Sequence, residues 1–166
     1  MNENVRKRGY LEFEDIPYDI FPSEERIKKG PFPIIECIEK IPCNPCETGC
    51  RRGSIKIGKN IVDLPKIDFN LCNSCGVCIV RCPGLAIFMA DLRDENYAEL
   101  SIPWELLPLP KKGDKFDGLD RKGEKVCAGE IVSVKKMKGK THIVTGKFPK
   151  EFIKEVRHFK IVKGEE

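Results

Sequence analysis

Nine cysteines occur in the 166 residues, and four of them fall in one run, CNSCGVCIVRCP, from Cys72 to Pro83. Cys72, Cys75 and Cys78 are each two residues apart; Cys82 follows after three more, with proline behind it. This is the spacing by which thiolates hold a [4Fe-4S] cluster. Two-residue gaps let a single tight turn present three sulfurs to three corners of one cube. Cys82 stands on the far side of a short helical turn and cannot fold back onto that cube, and Pro83 ends the turn. A partner for this fourth thiolate should exist elsewhere in the chain.

Its partners lie upstream. Cys43, Cys46 and Cys50 precede Cys75, Cys78 and Cys82 by 32 residues, one for one. The register continues beyond the cysteines: CRRGSIKI at 50–57 lies over CPGLAIFM at 82–89, with Ile55 on Ile87. A repeated supersecondary unit is implied, a cysteine loop feeding a short strand. The first ligand is displaced, because the counterpart of Cys72 is Lys40 and the nearest cysteine is Cys37. The first loop thus reads C-x5-C-x2-C-x3-C, with Ile41 and Pro42 in the insertion.

Residues 36–90 resemble a bacterial-type two-cluster ferredoxin domain, a pseudo-twofold α+β unit. The resemblance implies two [4Fe-4S] clusters, one on Cys72, Cys75, Cys78 and Cys50, the other on Cys43, Cys46, Cys82 and Cys37. Two features depart from the family pattern: Arg51 stands where proline is usual, and the gap after Cys37 is long. Zinc is the bland competitor, since Cys43-x2-Cys46 and Cys72-x2-Cys75 have ribbon form. It leaves Cys37, Cys50, Cys78 and Cys82 without a role. A radical enzyme would want C-x3-C-x2-C, and neither Cys46-x3-Cys50 nor Cys78-x3-Cys82 is followed by a third ligand. No glycine-rich turn suits a flavin or nicotinamide, and no acid–base pair stands out, so no catalytic site of the chain's own is expected. Cys127, the ninth cysteine, reads as buried packing, and His142 and His158 lack ligand spacing.

The elements that must position these cysteines follow from pattern. Residues 1–33 read as an extended arm: polar and mobile to residue 9, then Tyr10, Phe13, Ile16, Tyr18 and Phe21 among acids and prolines, with a helical turn at Pro22–Arg26. Such aromatics need a surface, either this chain's own or a neighbouring subunit's. Residues 34–100 form the cluster domain. Ser54–Ile57 and Ile61–Leu64 predict a hairpin around Gly58-Lys59-Asn60, and Leu85–Leu92 with Tyr97–Ile102 predict a second. Ile55, Ile57, Leu85, Ile87 and Phe88 should wall the clusters. Residues 101–166 form a small, mostly antiparallel β domain, or half-barrel. Its strands are Lys125–Val134 and Thr141–Phe148, followed by a short helix after Pro149 and a last strand at Ile161-Val162. Trp104 should anchor this domain to the cluster domain.

Composition limits the function. Formal net charge is +4, but eight ligating thiolates and two doubly positive cube cores would bring it to about zero. The excess of basic residues in 101–166, 16 Lys and Arg against 10 Asp and Glu, reads as a solvated face; Phe116, Phe148 and Phe152 are too scattered for a nucleic-acid platform. No run approaches a membrane span. The start MNENVRKRGYLEFEDIPYD lacks the apolar stretch of a secretory signal, so a cytoplasmic protein with reduced, metal-bound cysteines is expected. The phrases IPCNPCETGC, CNSCGVCIVRCPGLAIF, IPWELLPLPKKGD and FPKEFIKEVRHFK, spread over residues 34–162, resemble the iron–sulfur subunit of multi-subunit dye-linked dehydrogenases that oxidise proline, hydroxyproline or related amino acids. That resemblance implies an electron-transfer subunit in a hetero-oligomer with flavoprotein subunits. The alternative is a free-standing ferredoxin-like carrier with an accessory β domain.

Overall fold

A computed structural model describes residues 3–162. It is a mixed helix and strand fold dominated by antiparallel pairing. Two short helices, α1 (Glu3–Arg8) and α2 (Glu24–Lys28), precede β1 (Phe32–Ile35). The first cysteine loop holds α3 (Pro45–Thr48) and leads to β2 (Ile55–Lys56) and β3 (Lys66–Ile67). The second holds α4 (Val77–Arg81) and leads to β4 (Ile87–Asp91). Then come β5 (Tyr97–Trp104), β6 (Lys115–Leu119), β7 (Lys125–Lys135), β8 (His142–Pro149) and β9 (His158–Ile161).

Seven strands make one sheet in the order β1-β4-β5-β8-β7-β6-β9, while β2 and β3 pair apart from it. The boundary expected near residue 100 falls inside β5, which pairs with β8 from Tyr97↔Pro149 to Trp104↔His142. The cluster-bearing segment and the C-terminal segment therefore share a sheet and a core. Side chains alternate across the strands and separate two cores. Phe32, Ile34, Phe88, Ala90, Leu100, Ile102 and Val144 face a main core with Phe116, Phe148 and Phe159. Ile35, Ile87, Met89 and Ile143 face the other way, onto Ile55, Ile79, Cys46 and Cys78. Burial on both faces explains why Ile87–Ala90 reads as a continuous apolar run.

The sheet curls until its ends meet. Glu36, just past β1, receives Arg121 Nε on Oε2 at 3.1 Å and Arg121 Nη2 on Oε1 at 2.5 Å. Arg157 Nε, just before β9, donates to Oε1 at 2.7 Å. Arg157 Nη2 lies 2.7 Å from the same oxygen, an ion-pair contact without hydrogen-bond alignment. Arg157 also donates to the Ile153 carbonyl at 2.8 Å and lies over the Phe88 ring. One carboxylate, 5% exposed, thus joins the first strand to the last and sits directly before Cys37.

Several expectations are corrected. Residues 3–8 are helical rather than mobile, because Val5 is buried and seeds a helical turn; residues 1–2 lie outside the described range. The aromatic arm lies on its own chain: Phe13, Ile16, Tyr18 and Phe21 pack on the main core, and Phe21, Phe32 and Phe69 form an edge-to-face series. β2 pairs with Lys66–Ile67, not with Ile61–Leu64, which forms an exposed turn. The helix after Pro149 is one 3-10 turn, Lys150–Lys154, since Val156, Arg157 and Phe159 are drawn into the core. Three strands lie outside those expected: β1, β3 and β6. Phe32–Ile35 falls across the expected end of the arm at residue 33, and Lys115–Leu119 carries Asp117 and Gly118, residues more usual in turns. Gly118 pairs with Cys127 and Phe159, and it is glycine because a Cβ there would meet Cys127 Sγ at 2.7 Å and Val156 at 3.1 Å. Trp104 stacks on His158 at 5.2 Å within the shared core and donates to the Leu106 carbonyl at 2.8 Å, so it anchors β5 to β9 rather than one domain to another.

Glu36→Gln keeps the shape but leaves the buried Arg157 and the half-buried Arg121 without their counter-charge. Breaking a buried ionic group costs about 3–5 kcal/mol, so the midpoint of anaerobic thermal unfolding should fall clearly; an unchanged midpoint would mean that the sheet ends do not need the carboxylate.

Candidate metal centre

Helix α3 starts at Pro45, where a missing N–H is harmless, and carries Cys46 toward the sheet. The Gly49 amide then donates to the Pro45 carbonyl at 3.0 Å and the Cys50 amide to Glu47 at 3.0 Å, so Cys50 follows directly on the helix. A Cβ on Gly49 would stand 3.0 Å from the Arg81 side chain and 2.9 Å from the Pro45 oxygen. The glycine lets α3 and α4 touch, and this contact brings the first cysteine loop against the second.

The second loop is wound by residues with left-handed backbone, Ser74 (φ 59°) and Gly76 (φ 76°). A serine in that region costs roughly 1 kcal/mol or more unless it is held; the Ser74 hydroxyl donates to the Pro31 carbonyl. The turn aims the Ser74 amide at Cys72 Sγ, 3.4 Å away. Leu85, also left-handed at φ 51°, does the same for the Ala86 amide, which lies 3.5 Å from Cys82 Sγ. Amide donors to sulfur favour the thiolate and tune an iron–sulfur centre.

Burial and neighbouring thiols act together on the cysteines. Burial, followed by the Cys82, Cys37 and Cys43 thiols, pushes Cys46 up to about 11. Burial, followed by Cys72, Cys75 and then Cys50, pushes Cys78 up to about 12. Cys37 is raised by burial and by Cys82 and Cys43. Cys50 goes the other way: burial raises it, but the Ser54 hydroxyl and the amides of Ile55, Ser54 and Arg52 together bring it below its ordinary value. Cys37, Cys46, Cys50, Cys78 and Cys82 all lie in or against the core between the cysteine loops and the sheet. Cys127 is buried in the main core instead.

These donor sets suit a multi-iron centre. Partly buried thiols that raise one another's pKa ionise together only around concentrated positive charge.

The arm holds both loops in place. Tyr18 donates to the Cys37 carbonyl at 2.7 Å, and burial with the nearby Cys37 and Glu36 charges raises its phenol further. Arg26, buried, donates to the carbonyls of Phe69 (2.9 Å), Gly30 (3.1 Å), Pro31 (3.0 Å) and Cys72 (3.5 Å). Tyr18 stood out only as an aromatic needing a surface, and Arg26 carried no signal in the sequence, nor did Ile79 and Ile143 in the wall. Of the wall residues expected, Ile55 and Ile87 are buried beside the cysteines and Ile57 is partly so. Phe88 instead faces the main core, one step out of phase along β4, and Leu85 is exposed at the turn.

Comparison with known proteins agrees with this chemistry. Residues 65–88 match the family model of the 4Fe-4S binding domain, and that span holds Cys72, Cys75, Cys78 and Cys82. A stretch of 61 residues is 36% identical to the ferredoxin-type protein NapF of Haemophilus influenzae, covering 36% of this chain and 35% of that protein. The chain therefore spans about a third of the length of the relative it matches. No solved structure matches. The chain contains a 4Fe-4S binding domain, and the second cysteine loop lies within it.

Proposed function

We propose that this chain is an electron-transfer protein with two [4Fe-4S] clusters, one held by Cys72, Cys75, Cys78 and Cys50, the other by Cys43, Cys46, Cys82 and Cys37. The observation that carries this reading is the packing of α3 on α4, where Gly49 meets Arg81 and sets Cys50 and Cys82, equivalent positions of the 32-residue repeat, beside the facing loop. The 4Fe-4S binding domain and the ferredoxin-type relative support it. When bound, such clusters take up and give back single electrons. The cysteines ligate, while Ile35, Ile55, Ile79, Ile87 and Met89 keep water from the buried side. Cys75, exposed, brings one site to the surface, where a redox partner can approach.

The electron donor in this reading is a flavoprotein in a hetero-oligomeric dehydrogenase of the amino-acid-oxidising type, whose two-electron flavin two one-electron sites would serve. An apolar face supports a fixed partner: Leu107 is 84% exposed, beside exposed Leu106 and Val162, all bordering a groove floored by Trp104 and Phe159. A second reading, the free-standing carrier, is favoured by the arm, whose aromatics cover this chain's own core. Among the described residues no helix is long and apolar enough to cross a membrane.

The ligand crossover is tested by Cys50→Ala and Cys82→Ala, with paramagnetic resonance of the reduced variants. Cys50→Ala should damage the signal lost in Cys75→Ala, and Cys82→Ala the signal lost in Cys46→Ala. If each variant instead damages its own loop's centre, the crossed assignment fails. Size-exclusion chromatography with candidate flavoproteins separates the two readings of assembly: co-elution abolished by Leu107→Glu supports a fixed subunit, and a stable monomer supports a free carrier.

A further inference from the structure

The 32-residue repeat gives each position of one cysteine loop a counterpart in the other, and the two copies differ beside one sulfur. Cys50 corresponds to Cys82, and Ser54 to Ala86. In the second copy the Cys82 sulfur receives the Ala86 amide at 3.5 Å, and alanine has nothing more to offer. In the first copy the Ser54 hydroxyl lies 3.0 Å from Cys50 Sγ. Ser54 is 3% exposed, so water does not compete for this bond. A ligating thiolate only accepts, so the hydroxyl must donate. A hydrogen bond to an ionised partner in a dry site is among the stronger kinds.

We propose that Ser54 makes the two sites unequal, holding the site of Cys50, Cys72, Cys75 and Cys78 at the higher reduction potential, so that the first electron settles there. This rests on the two-cluster reading above. A donor to a ligand sulfur stabilises the more negative, reduced state more than the oxidised one. Two further features act in the same direction. Cys75 is the exposed cysteine of the eight, and the Arg26 guanidinium reaches the Cys72 carbonyl. Glu36 with Arg121 and Arg157 bears a net positive charge beside Cys37 and opposes the asymmetry. Those charges touch no sulfur, whereas the Ser54 hydroxyl lies 3.0 Å from one. The electron count is simple: one electron passes from a one-electron reductant to the favoured site, no bond to hydrogen or carbon changes, and movement between sites oxidises one as it reduces the other. Ser54 is a positioning residue for this transfer, acting through Cys50.

The test is an anaerobic redox titration of the full holoprotein followed by paramagnetic resonance, on wild type, Ser54→Ala, Ser54→Thr and Ala86→Ser, with iron measured in each. Wild type should reduce in two steps. Ser54→Ala should move the higher step down and leave the lower one in place, by up to about tenfold in the reduction equilibrium, about 59 mV for one electron. Ser54→Thr, which keeps the hydroxyl, should restore the wild-type value, and Ala86→Ser should move the lower step up. Steps unmoved by Ser54→Ala at full iron content, or movement of the lower step, would overturn the proposal. Should Ser54→Ala lose its centre, Ala86→Ser decides alone: an upward shift supports the role of the hydroxyl and a stationary one refutes it. Wild type with the iron of one cube would overturn the two-cluster reading itself, an outcome distinct from unmoved potentials at full iron content.

Discussion

Sulfurs that share a metal centre repel one another, and burial makes each of them harder to ionise. Both pressures act on these cysteines: burial raises Cys46 and Cys78 most, and the neighbouring thiols raise them further. Left to itself, such a group would spread apart. What the fold supplies is confinement from three sides. The outer face of the sheet presses Ile35, Ile87, Met89 and Ile143 against the loops, α3 and α4 pack on each other at Gly49, and the arm ties Cys37 and Cys72 by their carbonyls through Tyr18 and Arg26. Amide and hydroxyl donors at Cys50, Cys72 and Cys82 then offset part of the repulsion locally.

The C-terminal segment acquires a structural reason from the same constraint. A floor made only of β1, β4 and β5 would be a small, flat sheet with a bare apolar back, marginal in water. Adding β8, β7, β6 and β9 curls that sheet over Phe116, Phe148 and Phe159, and the back becomes the main core. Glu36 then joins the ends of the curl through Arg121 and Arg157. Because Glu36 precedes Cys37, the latch that closes the sheet also fixes where the displaced first ligand begins.

Legibility in the sequence followed how local the determining physics was. The cysteine spacing, the β4–β5 and β7–β8 pairs and the turn at Glu24–Lys28 depend on residues close in sequence, and all were readable. Phe32–Ile35 was not, because its strand character comes from pairing with Ile87–Ala90, more than fifty residues away. Lys115–Leu119 was not, because its glycine answers to Cys127 and Val156. Phe88 was misplaced for want of strand phase, which only the pairing with Ile34 settles. Around the sulfurs, Arg26 and Tyr18 act from the arm across long sequence separations and leave no pattern. Ser54 could have been found, since the repeat sets it against Ala86 and the difference is visible on alignment.

In the proposed function the eight cysteines of the two repeats hold two four-iron centres rather than one, or than single ions. The direct measurement is iron and acid-labile sulfide per chain in anaerobically purified protein, with zinc determined on the same sample. Two cubes give about eight iron atoms and about eight sulfides per chain. A reproducible value near four of each would leave the Cys37 loop without its cluster, and zinc without sulfide would contradict the account outright.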